Sequence, residues 1–238
     1  MNDIAIHIDS VSKAFGARPV LKNIGFTVCN RQSVLLCGVN GAGKSTLINI
    51  IAGLLQPDRG SVGLLGCNID KYPRRAKSRL GVILHKPMVY PELTVTENLS
   101  FFANLYGVNK SRDRINELLE EVGIWPYRYD RAGILSHGLL QRLAIARALV
   151  HSPKILLADE PFAGLDIEAC EHLISILNNF VDNSGTVFMT SHNTHIGLRC
   201  CSRAMVLNKA KLIFDADVDD IDADCFSKDF VSYAGGAG

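Results

Sequence analysis

No apolar run in this 238-residue sequence approaches the roughly 18 residues that cross a bilayer as a helix. The opening MNDIAIHIDS has no basic stretch followed by an apolar one, so no secretory leader is expected. Neither sign of charge is in excess. Twenty-five Lys and Arg against 24 Asp and Glu leave a net charge of +1, without the basic surplus of a general nucleic-acid binder, so no nucleic-acid partner is expected. The seven cysteines (29, 37, 67, 170, 200, 201 and 225) are odd in number and show no C-x-x-C spacing. That argues against a zinc ribbon, a thioredoxin-type site and a secreted disulfide framework, and favours free thiols in a reducing compartment. The seven histidines show no H-E-x-x-H arrangement. A cytosolic protein is expected, and if it works at a membrane, another chain must hold it there.

What is present is ordinary globular material, 47 % apolar and 21 % charged, enough for one large domain or two small ones. Ile4, Ile6 and Ile8 alternate with more polar residues, as do Ile24, Phe26 and Val28, and both stretches read as half-buried strands. Residues 33–37, 80–84, 155–158 and 186–190 are short apolar runs of the kind that strands buried on both faces show. Helical stretches are expected over 45–55, 139–150 and 168–181. Strands alternating with helices argue for a parallel sheet covered by helices.

Residues 86–135 have a different texture. Thr94 and Glu97 have capping-box spacing. Ile115, Leu118, Leu119 and Val122 share one helical face, with Gly123 placed to end it. Aspartates 215, 217, 219, 220, 222, 224 and 229 crowd the end of the chain and read as a solvated acidic segment, balanced by a basic stretch at 71–79. An EF-hand loop would need Gly at Asp220 and Glu at Phe226, which excludes calcium of that type. The closing YAGGAG reads as disordered.

The chemistry starts at Gly38-Val39-Asn40-Gly41-Ala42-Gly43-Lys44-Ser45-Thr46, which fits G-x-x-x-x-G-K-S/T between a buried strand and a helix. Gly41 and Gly43 let backbone N–H groups turn toward phosphates, and the following helix offers its free N–H groups and positive end to the same anion. Lys44 supplies a point charge for the β- and γ-phosphates, and the Ser45 hydroxyl is suited to Mg²⁺. The run Ile155–Ala158 ends in Asp159 and Glu160, where strand ends face a nucleotide crevice. Asp159 is the expected Mg²⁺ acid, and Glu160 the expected general base for an attacking water.

With these residues in place, residues 4–214 resemble the ATP-binding subunit of ABC transporters. The decisive segment is Leu135-Ser136-His137-Gly138-Leu139-Leu140-Gln141-Arg142, similar to the family signature LSGGQ at Ser136 and Gly138 and departing from it at His137 and Leu139. The resemblance implies that Ser136 and Gly138 face the γ-phosphate held by a second subunit, a homodimer sharing two ATP sites. It implies a switch role for His192, a D-loop around Asp166, and stacking of Phe15 on adenine. The family's Q-loop glutamine is missing between 80 and 95, and His85 or Lys86 stands in its place. As a cation, Lys86 cannot ligate Mg²⁺ but could contact phosphate.

The implied fold is α/β: a P-loop NTPase (RecA-like) core over 1–85 and 136–214 with an N-terminal antiparallel β subdomain. A helical insert over 86–135 and an acidic tail over 215–238 complete one ABC ATPase domain. The implied activity is ATP hydrolysis with ATP and Mg²⁺. It would power a separate transmembrane permease, docked on 87–106, from the cytoplasmic face of the inner membrane. The fragments ELTVTENLSFFANLYGV and TSHNTHIGLRCCSRAMVL look most like the haem-exporter ATPase of cytochrome c maturation, and also like drug or polysaccharide exporter ATPases. A soluble ABC ATPase of iron–sulfur cluster assembly is the alternative from a different class.

Overall fold

The computed structural model describes residues 4–222 and Phe226. Ile4–Phe15 (β1) and Arg18–Cys29 (β2) form an antiparallel pair that buries Ile6, Ile8, Ile24 and Val28. Ser33–Cys37 (β3) leaves this pair for a second sheet. The chain then passes through helix Lys44–Ile51 (α1) and returns as Arg59–Leu64 (β4) and Cys67–Asn68 (β5), which complete an antiparallel sheet of order β2-β1-β4-β5. Pro73–Lys77 (α2) leads to the second sheet, which holds Leu80–Ile83 (β6), Ile155–Asp159 (β7), Thr186–Thr190 (β8), Arg203–Asn208 (β9) and Lys211–Asp217 (β10). Its order is β10-β9-β3-β8-β7-β6, all parallel except β10. Every residue of β3, β7 and β8 is buried, as their apolar runs require. Parallel pairing brings the carboxyl ends of these three strands to one edge, and the site lies there.

The insert between β6 and β7 carries Val95–Leu105 (α3) and Ser111–Glu121 (α4), followed by His137–Leu149 (α5). Thr94 and Glu97 form the expected reciprocal cap. Gly123 takes φ +70° just past α4, a backbone conformation that favours glycine. Asn98 is fully buried because its amide binds four backbone groups: it donates to the carbonyls of Tyr90, Leu93 and Thr94 and accepts from the Tyr90 N–H. It thereby pins the loop ahead of α3. Val95, Leu99, Leu118 and Leu119 join the same apolar cluster as Leu156 and Val187, so the insert shares a core with the large sheet. Ile167–Asp182 (α6) and Thr194–Leu198 (α7) complete the helices named in this fold.

Two expectations change. The helix expected over 45–55 stops at Ile51, because Gly53 takes φ +64° and the N–H groups of Leu54 and Leu55 both turn back to the Asn49 carbonyl. Asp215 and Asp217 are exposed as expected, but they belong to β10 rather than to a tail, so the large sheet runs to 217 rather than ending at 214. Arg203 grips Asp215 in bidentate fashion, with both N–H···O distances 2.6 Å, and its other terminal nitrogen donates to the Thr27 carbonyl across the two sheets. Asp224, Asp229, Cys225 and the closing YAGGAG lie outside the described residues.

His151 follows α5 and ties the insert to β6. Its ring stacks on Tyr106 with centroids 3.8 Å apart, and Nε2 lies 3.2 Å from the Leu80 carbonyl. Burial pushes its pKa down to about 4, from an ordinary value near 6.5. The folded state therefore keeps this ring neutral where the unfolded chain would protonate it. Its contribution to stability is complete above pH 6.5 and is lost as pH falls toward 4. We expect His151→Phe, which keeps the stack, to flatten the fall in thermal midpoint between pH 7 and pH 5. Parallel curves for the two proteins would contradict this assignment.

Candidate functional site

The phosphate loop follows β3 and opens onto a cavity of about 420 Å³. Gly41 and Gly43 take φ +79° and +111°, and Gly43 is the N-cap of α1. With no side chain at the cap, the N–H groups of the first turn keep no side-chain acceptor. The first backbone bond at this end runs from Leu47 N–H to the Gly43 carbonyl. The first turn carries no acidic residue, so the positive end of the helix is not neutralised locally. Lys44 is buried, and its ammonium donates to the Gly38 carbonyl at 2.8 Å. Cys37, just before the loop, is an inert neutral thiol, since burial raises its pKa to about 12.

The acidic pair reaches the same edge from β7. Asp159 is buried and accepts from Thr190 Oγ1 of β8 at 2.7 Å. The Thr190 hydroxyl oxygen in turn accepts from Glu160 N–H at 3.0 Å, so one threonine spaces both acids. Glu160 takes φ +54°, a costly conformation for a side chain this large, of the order of 1–2 kcal/mol. Its carboxylate accepts from His192 N–H at 3.0 Å, lies 2.8 Å from His192 Nδ1 and 3.8 Å from Lys44 Nζ. If His192 Nδ1–H donates to the acid, Nε2 is left for another partner.

The profile of the ABC transporter family matches residues 21–163. The chain belongs to that family, as an ATP-binding subunit. This ABC subunit is 32 % identical over 210 residues to the linearmycin resistance ATP-binding protein LnrL of Bacillus subtilis, covering 87 % of this chain and 68 % of that one. It is 33 % identical over 215 residues to the Nod factor export ATP-binding protein I of Paraburkholderia xenovorans, covering 90 % and 71 %. Among solved structures it matches an ATP-binding subunit of an ABC transporter with a TM-score of 0.85 at 27 % identity, over 98 % of this chain and 95 % of that one. A dimeric ATP-binding cassette in a post-hydrolysis state, bound to ADP and Pi, matches with a TM-score of 0.82 at 26 % identity, over 90 % and 98 %. The fold is the α/β P-loop NTPase fold, and the ABC subunit binds and hydrolyses ATP.

The cavity of this ABC subunit is walled by Phe15, by 40–46 of the phosphate loop and by Glu160. Phe15 is 53 % exposed, and its segment is held by Asp58, which pairs with Lys13 at 2.7 Å and accepts from Ala14 N–H at 2.7 Å. Ser136 and Gly138 are not on this wall. Ser136 caps α5 through Leu139 N–H and is exposed, while Gly138 has open space where a Cβ would stand. Asp166 caps α6 through Ala169 N–H at 2.8 Å, and the His137 ring lies against Gly164. His85 and Lys86 are exposed, and neither lines the cavity. Arg18, Thr190 and Gln141 were not singled out by the sequence reading. Arg18 lines the cavity, Thr190 spaces the acids, and buried Gln141 donates to the Pro161 carbonyl at 3.0 Å, tying the signature helix to the loop after Glu160. Thr190 ends an apolar run, which is a usable signal. Arg18 had none.

Proposed function

We propose that this subunit powers export of a drug-type compound through a separate permease, working as a homodimer on the cytoplasmic face of the inner membrane. The observation that carries the catalytic part is Glu160, held by His192 and facing Lys44 beside the phosphate loop. Lys44 would exchange its Gly38 carbonyl for the β- and γ-phosphates. Glu160 would take the proton of the attacking water, with His192 fixing the carboxylate's direction. Ser45 and Asp159 supply hard oxygen donors, and among the described residues no group of three or more His, Cys, Asp or Glu could hold a metal. That donor set suits Mg²⁺, which prefers one or two protein oxygens plus phosphates and water. When bound there, Mg²⁺ would offset phosphate charge. Phe15 would stack on the base, and Ser136 and Gly138 would serve the partner's γ-phosphate.

The cargo reading rests on the relatives. Those named above concern linearmycin resistance and Nod factor export, and this favours drug-type export over haem export. No helix among the described residues is long and apolar enough to cross a membrane, and in this reading the separate permease supplies the pathway. Met88, Tyr90, Phe101, Leu105 and Tyr106 are each at least 40 % exposed, and Tyr90 and Phe101 meet edge-on at 5.0 Å. An exposed apolar patch of this kind fits the expected permease contact. The test is purification of the chain from its own membranes, with the bound proteins identified. A polytopic membrane partner is expected, and loss of the pair should sensitise cells to a drug. A soluble iron–sulfur assembly complex in its place would overturn the reading.

A further inference from the structure

A second cavity, of about 530 Å³, opens in the helical insert between the starts of α3 and α4. It shares no residue with the cavity at the phosphate loop. It is lined by Arg112 and Arg128, by Ser100 and Ser111, and by Trp125 and Tyr129, among others. No carboxylate lines it, and neither arginine has an ion-pair partner among the described residues. Glu117, on the same helix as Arg112, is 3.6 Å from Arg114 instead.

Arg128 is unusually well fixed for a surface arginine. Its guanidinium carbon lies 4.4 Å from the Trp125 ring centre and 4.5 Å from that of Tyr129. Nη1 donates to the Trp125 carbonyl at 3.1 Å. The Arg128 carbonyl accepts from Thr96 Oγ1 at 2.9 Å and from Thr96 N–H at 3.0 Å, which anchors its backbone to α3. Two rings and one carbonyl thus set the plane of the guanidinium before any ligand arrives. Its Nε and Nη2 have no protein acceptor among the described residues. A planar fork fixed in this way loses little entropy when it binds an oxyanion.

We propose that this cavity binds a phosphate group. Two guanidiniums and two hydroxyls offer more donors than the two oxygens of a carboxylate can use. A phosphomonoester presents three strong acceptor oxygens and close to two negative charges. The phosphate could belong to a soluble molecule or to a phospholipid headgroup, and the two sources can be separated. Trp125 is the single tryptophan of the chain, so its emission reads this cavity alone.

The full chain is titrated at constant ionic strength with inorganic phosphate, and separately with vesicles containing phosphatidic acid, whose headgroup is a phosphomonoester, while Trp125 emission is followed. A saturable change is expected. Saturation by inorganic phosphate assigns the soluble source, and saturation by vesicles alone assigns the headgroup. Arg112→Gln removes one charge-assisted contact without touching either ring, and should raise the half-saturation point about tenfold or more. Lys44→Ala disables the phosphate loop and should leave the titration unchanged. The proposal is overturned if neither probe gives saturation, if Arg112→Gln titrates like the parent, or if Lys44→Ala abolishes the change.

Discussion

Glu160→Gln should lower ATP turnover by about 100- to 10,000-fold, the range over which a positioned general base contributes. ATP binding should be retained. Glutamine has the shape of glutamate and keeps a carbonyl that can accept from His192 N–H, so the loop from Thr190 to His192 has no reason to move. What is lost is the proton acceptor beside His192 Nδ1, together with the negative charge 3.8 Å from Lys44. Removing that charge weakens one competitor of the phosphates for the Lys44 ammonium, which favours retention of nucleotide. The variant should therefore accumulate an ATP-bound dimer. Turnover and size-exclusion elution with ATP, measured on the same preparation, check both halves. Turnover equal to the parent's would remove Glu160 from the role of base, whatever the elution showed.

The residues of that site differ in how visible they are in sequence, and the difference follows chain distance. The phosphate loop is contiguous, and Gly41, Gly43, Lys44 and Ser45 report their roles within nine residues. Asp159 and Glu160 are legible because an apolar run ends on them. Thr190 is 31 residues from Asp159, and only the parallel pairing of β7 and β8 brings its hydroxyl to both acids. Arg18 reaches the cavity through the β1–β2 hairpin, a tertiary placement with no local pattern. The fold shows the same contrast. Capping at Thr94 and the stop at Gly123 are local chemistry and were readable. β10 was hidden by its composition: Leu212, Phe214 and Ala216 alternate inward with period two, but Asp215 and Asp217 make the segment look like a solvated tail. The bidentate partner that makes Asp215 a strand residue, Arg203, lies on the neighbouring strand.

Gly43→Ala should weaken ATP binding about 100-fold, against about tenfold for Gly41→Ala, and the gap between the two separates conformational strain from collision. Both glycines lie in the left-handed region, where an L side chain costs about 1–2 kcal/mol, close to a factor of ten. At Gly41 that is the whole effect, since a Cβ there meets nothing within 4 Å. At Gly43 the added carbon would stand 2.7 Å from the Val20 carbonyl oxygen and 3.1 Å from Leu21 Cδ2. The obstacle is the backbone of β2, which is paired along its length with β1, so it cannot yield as a flexible side chain would. The phosphate loop must move instead. Gly43 is the N-cap of α1, so its displacement shifts the Lys44 ammonium and the first-turn N–H groups together. A misplacement of about 1 Å in such a positioned group is worth about 100-fold. Titration with a fluorescent ATP analogue measures both variants, and circular dichroism confirms that each retains its helices. Equal losses for the two would show that β2 gives way to the new carbon, and that the close approach of Val20 does not fix the loop.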